Sequence, residues 1–289
     1  MIIQNSDNNL ILTELEDFNL YQIFECGQCF RWDRSEDGSY IGVAYGRALK
    51  IKQNSDSSVT LFDTTEEDFT SIWYNYFDFG VSYSDIKSKL SCDEVLKKAI
   101  CFGDGIRILN QELWETVVSF IISASNNIPR IKKIISELCR LFGDKIEYMD
   151  NVFYTFPSYE KVSTLSLEDL APIKAGFRDK YILAAAEAFS NGLCMDIFSE
   201  LDYETSKKEL MKIKGIGNKV ADCILLFGLA KRNSFPVDVW VKRIMEYCYF
   251  DTEQSNDEIR RFAEERFSDL GGYAQQYLFF YARENKIGL

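Results

Sequence analysis

The segment Leu210-Met211-Lys212-Ile213-Lys214-Gly215-Ile216-Gly217-Asn218-Lys219-Val220-Ala221-Asp222-Cys223-Ile224 constrains the fold more than any other stretch of the chain. Two glycines separated by one apolar residue interrupt a helical pattern, and glycine reaches backbone angles closed to other residues. Ser206 and Glu209, three residues apart, form a capping-box pattern that predicts a helix from about Lys207 to near Lys214. Asn218, a good N-cap residue, predicts a second helix whose apolar positions continue through Leu226. Two helices then fold back on each other, with free amides at the start of the second pointing outward. Such a terminus attracts a phosphate through those amides and the helix dipole. An ordinary helical hairpin with a Gly-x-Gly turn accounts for the same residues.

The rest of the chain divides by period. Residues 1 to about 90 read as β-rich, with runs at 41–52 and 58–62 that partly alternate and are punctuated by Gly, Asn, Asp and Ser. From about Leu109 the period becomes helical. Trp114, Val117, Val118, Phe120 and Ile121 make one stripe, and Ile131, Ile134, Ile135, Leu138 and Leu141 another. Pro129 and Pro236 sit near expected helix starts, where proline is tolerated. The expected class is α+β, with an antiparallel β-sheet domain and linker over 1–108 and an all-helical domain over 109–289. A chain of 289 residues makes two domains the natural prior. The longest apolar run, 220–230, is broken by Asp222 and too short to span a bilayer. Residues 1–7 lack the basic and apolar regions of a secretion signal, so a cytoplasmic, nucleoid-associated bacterial protein without a membrane partner is expected.

The chain contains no histidine, which removes Ser/His and Cys/His nucleophile mechanisms. Of eight cysteines only Cys26 and Cys29 have metal-ligand spacing, and no second pair completes a zinc site. No metal is expected. The net charge of −12 argues against binding nucleic acid through the overall field. Yet residues 207–243 hold nine basic residues against three acidic ones. A locally basic surface suits a polyanion touched along one face, and a solvated helix face fits equally well.

The full pattern of apolar, basic, Gly-apolar-Gly, polar, Lys and apolar helix resembles the helix-hairpin-helix element of base-excision DNA glycosylases. Val237-Asp238-Val239, after Pro236, matches the partner segment of that superfamily. Within it the chain resembles an 8-oxoguanine DNA glycosylase/AP lyase over nearly its whole length. Gly27-Gln28-Cys29-Phe30-Arg31-Trp32 resembles the motif of that family's N-terminal, TBP-like β domain. Gly105-Ile106-Arg107-Ile108-Leu109 and Trp114-Glu115-Thr116 fit the start of the helical domain, and Ser125-Asn126-Asn127-Ile128-Pro129-Arg130-Ile131 resembles the loop and helix that wedge into DNA.

The resemblance implies double-stranded DNA containing oxidised guanine as partner, bound by a monomer. It implies a nucleophile at Lys219 that must be uncharged to attack the sugar and form a Schiff base. Lys214 and desolvation would lower its pKa and an ionised Asp238 would oppose them. Asp238, read from its position as an N-cap, is the implied catalytic aspartate. Gly27 would accept a hydrogen bond from N7–H of the lesion, and Cys223, Gln275 and Phe279 would hold the flipped base. Asn127 would fill the gap the base leaves, with Asn126 beside it. Arg130 and Arg178 would contact the estranged cytosine, and Phe177 would wedge beside it. Gly215 and Gly217 would meet the DNA backbone. A monovalent cation at the hairpin turn is the one further ligand implied; no cofactor is required. Ser125 departs from a third asparagine, and Trp240 from a phosphate-contacting histidine. Only Cys223 and Cys248 follow the hairpin, so the iron–sulfur cluster of endonuclease III-like relatives is excluded. A glycosylase for alkylated or other oxidised bases and a non-catalytic DNA-binding module are the alternatives. The second would need neither Lys219 nor Asp238.

Overall fold

The computed structural model describes residues 1–250 and 252–288. Strands β1 (Ile2–Ser6), β2 (Asn9–Thr13), β3 (Trp32–Arg34), β4 (Tyr40–Ala44), β5 (Arg47–Ser55) and β6 (Ser58–Phe62) form one antiparallel sheet in the order β1-β2-β6-β5-β4-β3. Leu10 and Leu12, Leu49 and Ile51, and Val59 and Leu61 are buried at alternate positions, so one face carries the core. The run at 41–52 is two strands. It is broken at Tyr45 (φ 51) and Gly46 (φ 69), two successive left-handed residues that reverse the chain.

The β-rich expectation to about residue 90 is corrected, because the sheet ends at Phe62 and residues 66–102 are largely helical. Thr65 caps that stretch by accepting from the Asp68 amide. Phe69, Trp73, Tyr76 and Phe77 then recur at helical spacing and pack onto the sheet with Phe24 and Trp32.

The longer helices are α1 (Leu20–Glu25), α2 (Tyr83–Leu90), α3 (Glu94–Phe102), α4 (Leu113–Ser123), α5 (Ile128–Phe142), α6 (Asp179–Ser190), α7 (Tyr203–Met211), α8 (Asn218–Gly228), α9 (Val239–Tyr249), α10 (Asn256–Phe267) and α11 (Gly271–Glu284). From α2 onward they share one core, distinct from the sheet's. Leu141, placed on the buried stripe of α5 by its spacing, is exposed, although Leu138 and Cys139 before it are buried and Phe142 after it packs on the core. No helix among the described residues is long and apolar enough to cross a membrane.

Buried polar groups tie the two cores together. Gln28 is fully buried, its amide donating to the carbonyls of Ile23 and Arg107 and accepting from the Leu109 amide. Arg31 pairs with Glu115 of α4 at 2.9 Å.

Residues Val220 to Gly228 of α8 are all buried, so this helix runs through the middle of the helical core. It carries one charge inward. The Asp222 carboxylate meets Lys207 Nζ at 2.8 Å and accepts from the Tyr203 hydroxyl at 2.6 Å, both on α7, while Arg260 of α10 lies at 3.9 Å. Ser234 Oγ donates to the Asp222 carbonyl. Replacing Asp222 by Leu strands the Lys207 charge, so a loss of about 3–5 kcal/mol is expected, as for a broken buried pair. The double variant Asp222→Leu/Lys207→Met restores much of it. Chemical denaturation of the three proteins checks this, and equal losses in single and double variants would contradict it.

Candidate active site

The hairpin forms as its glycines require, with three corrections. First, α7 starts at Tyr203, capped by Asp202, whose side chain accepts from the Thr205 amide. Ser206 is instead buried within the helix with its hydroxyl unpartnered, so the Ser206/Glu209 pattern is not the cap. Second, Gly217 rather than Asn218 is the N-cap of α8. Third, the two glycines act differently. Gly215 has φ +98, and a Cβ there would lie 2.3 Å from Tyr181 Cγ on α6. Gly217 has φ −97 and ψ −179, extended backbone that any residue adopts, and a Cβ there would meet nothing within 4 Å. One glycine closes the turn against the protein; the other leaves open space in front of the helix start.

The basic window is also corrected, because most of its cations are spent internally. Lys207 pairs with Asp222, Lys212 with Glu209, and Lys242 with Glu246 and Glu253. Lys231 donates to the Leu201 carbonyl, and Arg232 to Asn110 and the Leu226 carbonyl. Lys208 and Lys214 remain exposed on the hairpin.

A cavity of about 60 Å³ lies at the start of α8. Lys219 and Cys223, one turn apart on α8, line it together with Asp238, Gly27, Gln275 and Phe279. Segments more than 190 residues apart in sequence thus meet at one point. Lys219 Nζ stands 5.2 Å from the Phe120 ring centroid, and Phe120 stacks on Phe227 at 5.4 Å. Asp238 is the N-cap of α9, its Oδ1 accepting from the Val241 amide at 2.8 Å. Burial raises its carboxyl above the ordinary range, while the Val241 amide and Lys219 act the other way. Burial likewise pushes the Cys223 thiol up to about 11, so it is neutral at pH 7. Gln275, on α11, is buried with its Oε1 unpartnered. Its neighbour Gln276 donates to the Cys26 thiol at 3.4 Å. Gly27 has φ +77, and a Cβ there would sit 3.0 Å from the Phe279 ring. The aromatic ring therefore rests on the glycine's bare face. A cavity this size holds about two waters' share of volume, well below the roughly 300 Å³ of a small-molecule pocket.

Nothing in the sequence marked Phe120, Phe227, Pro236, Gln276 or Cys26 as lining residues. Each lies in an apolar or mixed run indistinguishable from ordinary core. Cys26 and Cys29 are both buried but in different cores, Cys26 with the helices and Cys29 with the sheet.

The loop before α5 lies apart from this cavity. Ser125 has φ 50, the left-handed region that asparagine tolerates best after glycine. Asn126 donates to the Ile122 carbonyl and caps the Asn127 amide, and Asn127 caps α5 through the Arg130 amide. Arg130 is exposed. Phe177 is 55% exposed. The Arg178 guanidinium lies 4.4 Å from the Phe177 ring centroid but is itself buried, donating to the carbonyls of Ala124, Ser125 and Ala175. Trp240 is half-buried on α9 under the Arg243 guanidinium, 5.2 Å from its ring centroid.

Residues 10–117 match the model of the 8-oxoguanine DNA glycosylase N-terminal domain, and residues 118–269 that of the HhH-GPD superfamily of base excision DNA repair proteins. The chain is 32% identical over 259 residues to the N-glycosylase/DNA lyase of Saccharomyces cerevisiae, covering 80% of this chain and 68% of that protein. The 8-oxoguanine glycosylase/lyase of Clostridium acetobutylicum, solved with double-stranded DNA containing cytosine opposite 8-oxoG, superposes with a TM-score of 0.96 at 42% identity over 99% of both chains. A structure of MBOgg1 with a low-affinity DNA ligand gives 0.95 at 46% identity, again over 99% of both.

The two hairpin glycines separate by mutation. Gly215→Ala places a side chain at positive φ against Tyr181 and is expected to cost at least about 1–3 kcal/mol of stability. Gly217→Ala leaves stability within about 0.5 kcal/mol, but fills the open space before α8 and weakens binding to duplex DNA. Thermal melting and fluorescence anisotropy on the two variants distinguish these effects.

Proposed function

The chain belongs to the HhH-GPD superfamily of base-excision DNA repair proteins, with the N-terminal domain of the 8-oxoguanine DNA glycosylases, and from that premise we propose how its site works. The protein is a bifunctional DNA glycosylase and lyase that acts on 8-oxoguanine in duplex DNA. The observation carrying the residue assignments is the convergence of Lys219, Asp238, Cys223, Gly27, Gln275 and Phe279 on one cavity.

The duplex backbone meets the hairpin at Gly217, where the open face and the free amides of α8 accept a phosphate, while Gly215 holds the turn that presents them. The lesion rotates out of the stack, at a cost of a few kcal/mol. Asn127, with Asn126 behind it, and the exposed Phe177 occupy the space it leaves, and Arg130 and Arg178 serve the estranged cytosine. For Arg178 this requires the guanidinium to leave the loop carbonyls it holds in the free protein. Trp240, beside the start of α9, lies along the lesion strand. The base enters between Cys223 and Phe279, with its edge on Gln275, whose free Oε1 supports that role. The Gly27 carbonyl accepts N7–H, a bond normal guanine cannot offer, worth roughly 1–3 kcal/mol in selection.

Lys219, as the neutral amine, attacks C1′ of the deoxyribose. The C1′–N9 bond breaks and the base departs with the electron pair, taking up one proton of the attacking amine; the C1′–O4′ bond then breaks, O4′ takes up the other, and a Schiff base remains. Loss of a C2′ proton then expels the 3′ phosphate and cuts the strand. Asp238, ionised beside C1′, stabilises the positive charge that develops there and relays the proton. The neutral Cys223 thiol packs against the base without a competing charge.

Borohydride added to a reaction with 8-oxoguanine opposite cytosine should trap a covalent complex with wild type and none with Lys219→Gln. Base release without trapping would assign the attack to water. Asp238→Asn keeps the cap but should slow base release by roughly 10²–10⁴-fold. The ionised Asp238 is disfavoured by burial, so its stability contribution is present at low pH and lost as pH rises through its raised pKa. The asparagine variant should therefore gain in melting temperature relative to wild type as pH rises, and activity should show an acid limb above the ordinary carboxylate range that the variant lacks.

A further inference from the structure

A second concave surface, about 340 Å³ in volume, lies between α5 and the turn at residues 171–174. Ile134, Pro172 and Ile173 form an apolar floor, and Arg130, Lys133 and Lys174 stand on the rim with their side chains exposed. Among the described residues none of these three cations is in an ion pair, whereas Lys132 on the same helix is held by Asp33. One carboxylate also lines the surface, Glu137, and Arg140 already pairs with it at 2.7 Å. Its carboxyl is held below the ordinary range chiefly by Arg140, with Lys133 and Lys174 adding in the same direction, so both lysines lie within electrostatic reach of one point. Lys174 is fixed there by the backbone. It has φ 58 and closes the turn through its amide, which donates to the Ala171 carbonyl at 3.1 Å. A side chain at positive φ persists only where its surroundings over-determine it.

We propose that this surface binds the backbone of the undamaged DNA strand, with Lys133 and Lys174 each meeting a phosphate and a sugar or base lying over Ile134, Pro172 and Ile173. The proposal rests on the reading of the protein as a duplex-DNA glycosylase. Two observations favour this occupant. The charge is complementary, in a chain whose net charge is −12. The surface is also continuous with the wedge, since Arg130 belongs to both and the exposed Phe177 follows Lys174 by three residues. It shares no lining residue with the hairpin or with the cavity at Lys219. The lesion strand occupies the hairpin, so the strand that reaches past the wedge is its complement.

Salt dependence of binding tests this. Lys174→Gly keeps the positive φ without strain, and Lys133→Gln keeps a good helix former, so the double variant folds as the wild type does. On a duplex with an abasic-site analogue opposite cytosine, the slope of log K against log salt should flatten by about 1.8, roughly 0.9 per cation. On the lesion strand alone, as a single strand, the slope should not change. The pair Lys133→Arg/Lys174→Arg should retain the wild-type slope on duplex. An unchanged duplex slope, or an equal drop on the single strand, overturns the proposal. Release of 8-oxoguanine by wild type from the matching substrate reports the parent reading separately. Release together with an unchanged slope sinks only the strand contact. No release together with the flattened slope sinks the activity and leaves the contact supported.

Discussion

One buried carboxylate organises the helical half of this molecule. Asp222 sits fully inside the core on α8, and burial raises its pKa despite the ammonium of Lys207 beside it. A charge so placed must find partners, and those partners come from α7 and α10. The two hairpin arms are thereby held in one register. Lys219 precedes Asp222 by three residues and Cys223 follows it, so the helix fixed by the buried pair is the one that carries the lysine and the cysteine lining the cavity. Such pairs add little net stability over an apolar core, and in this protein the gain we assign to it is a single arrangement of α7 and α8.

The opposite economy governs the surface. A net charge of −12 and a strongly basic window look contradictory until the cations are followed to their partners. Lys207, Lys212, Lys231, Arg232 and Lys242 fasten helices and loops. Lys208, Lys212 and Lys214 face outward near the hairpin, and the helix start at Gly217 opens onto empty space.

The cavity holds groups that a purely structural core would not keep. Gln275 has an amide oxygen without a partner, Asp238 carries a carboxyl whose ionisation burial opposes, and Phe279 rests against a glycine at φ +77. The first two are costly in the free protein, an unpartnered buried oxygen and a carboxylate whose charge burial opposes, whereas glycine adopts its positive φ without strain.

By itself the sequence determined those features that depend on neighbours along the chain. The Gly-x-Gly interruption dictates a hairpin, the i, i+4 spacing puts Lys219 and Cys223 on one face, and Pro236 followed by Val237 and Asp238 starts a helix with a capping carboxylate. Asn127 and Pro129 start α5 for the same local reasons. Tertiary structure alone decided the rest. Ser206 matches a capping box, but the cap falls at Asp202 because α7 must reach back to bring Tyr203 and Lys207 onto Asp222. Nothing local tells Gly215, wedged against Tyr181, from Gly217, which faces open space. Phe120, Phe227 and Gln276 become walls of the site only because α4, α8 and α11 pack together. Local patterns report the period and the ends of an element, which depend on backbone geometry over a few residues. Which side chains share a cavity depends on packing between segments far apart in the chain, and no spacing along the sequence records it.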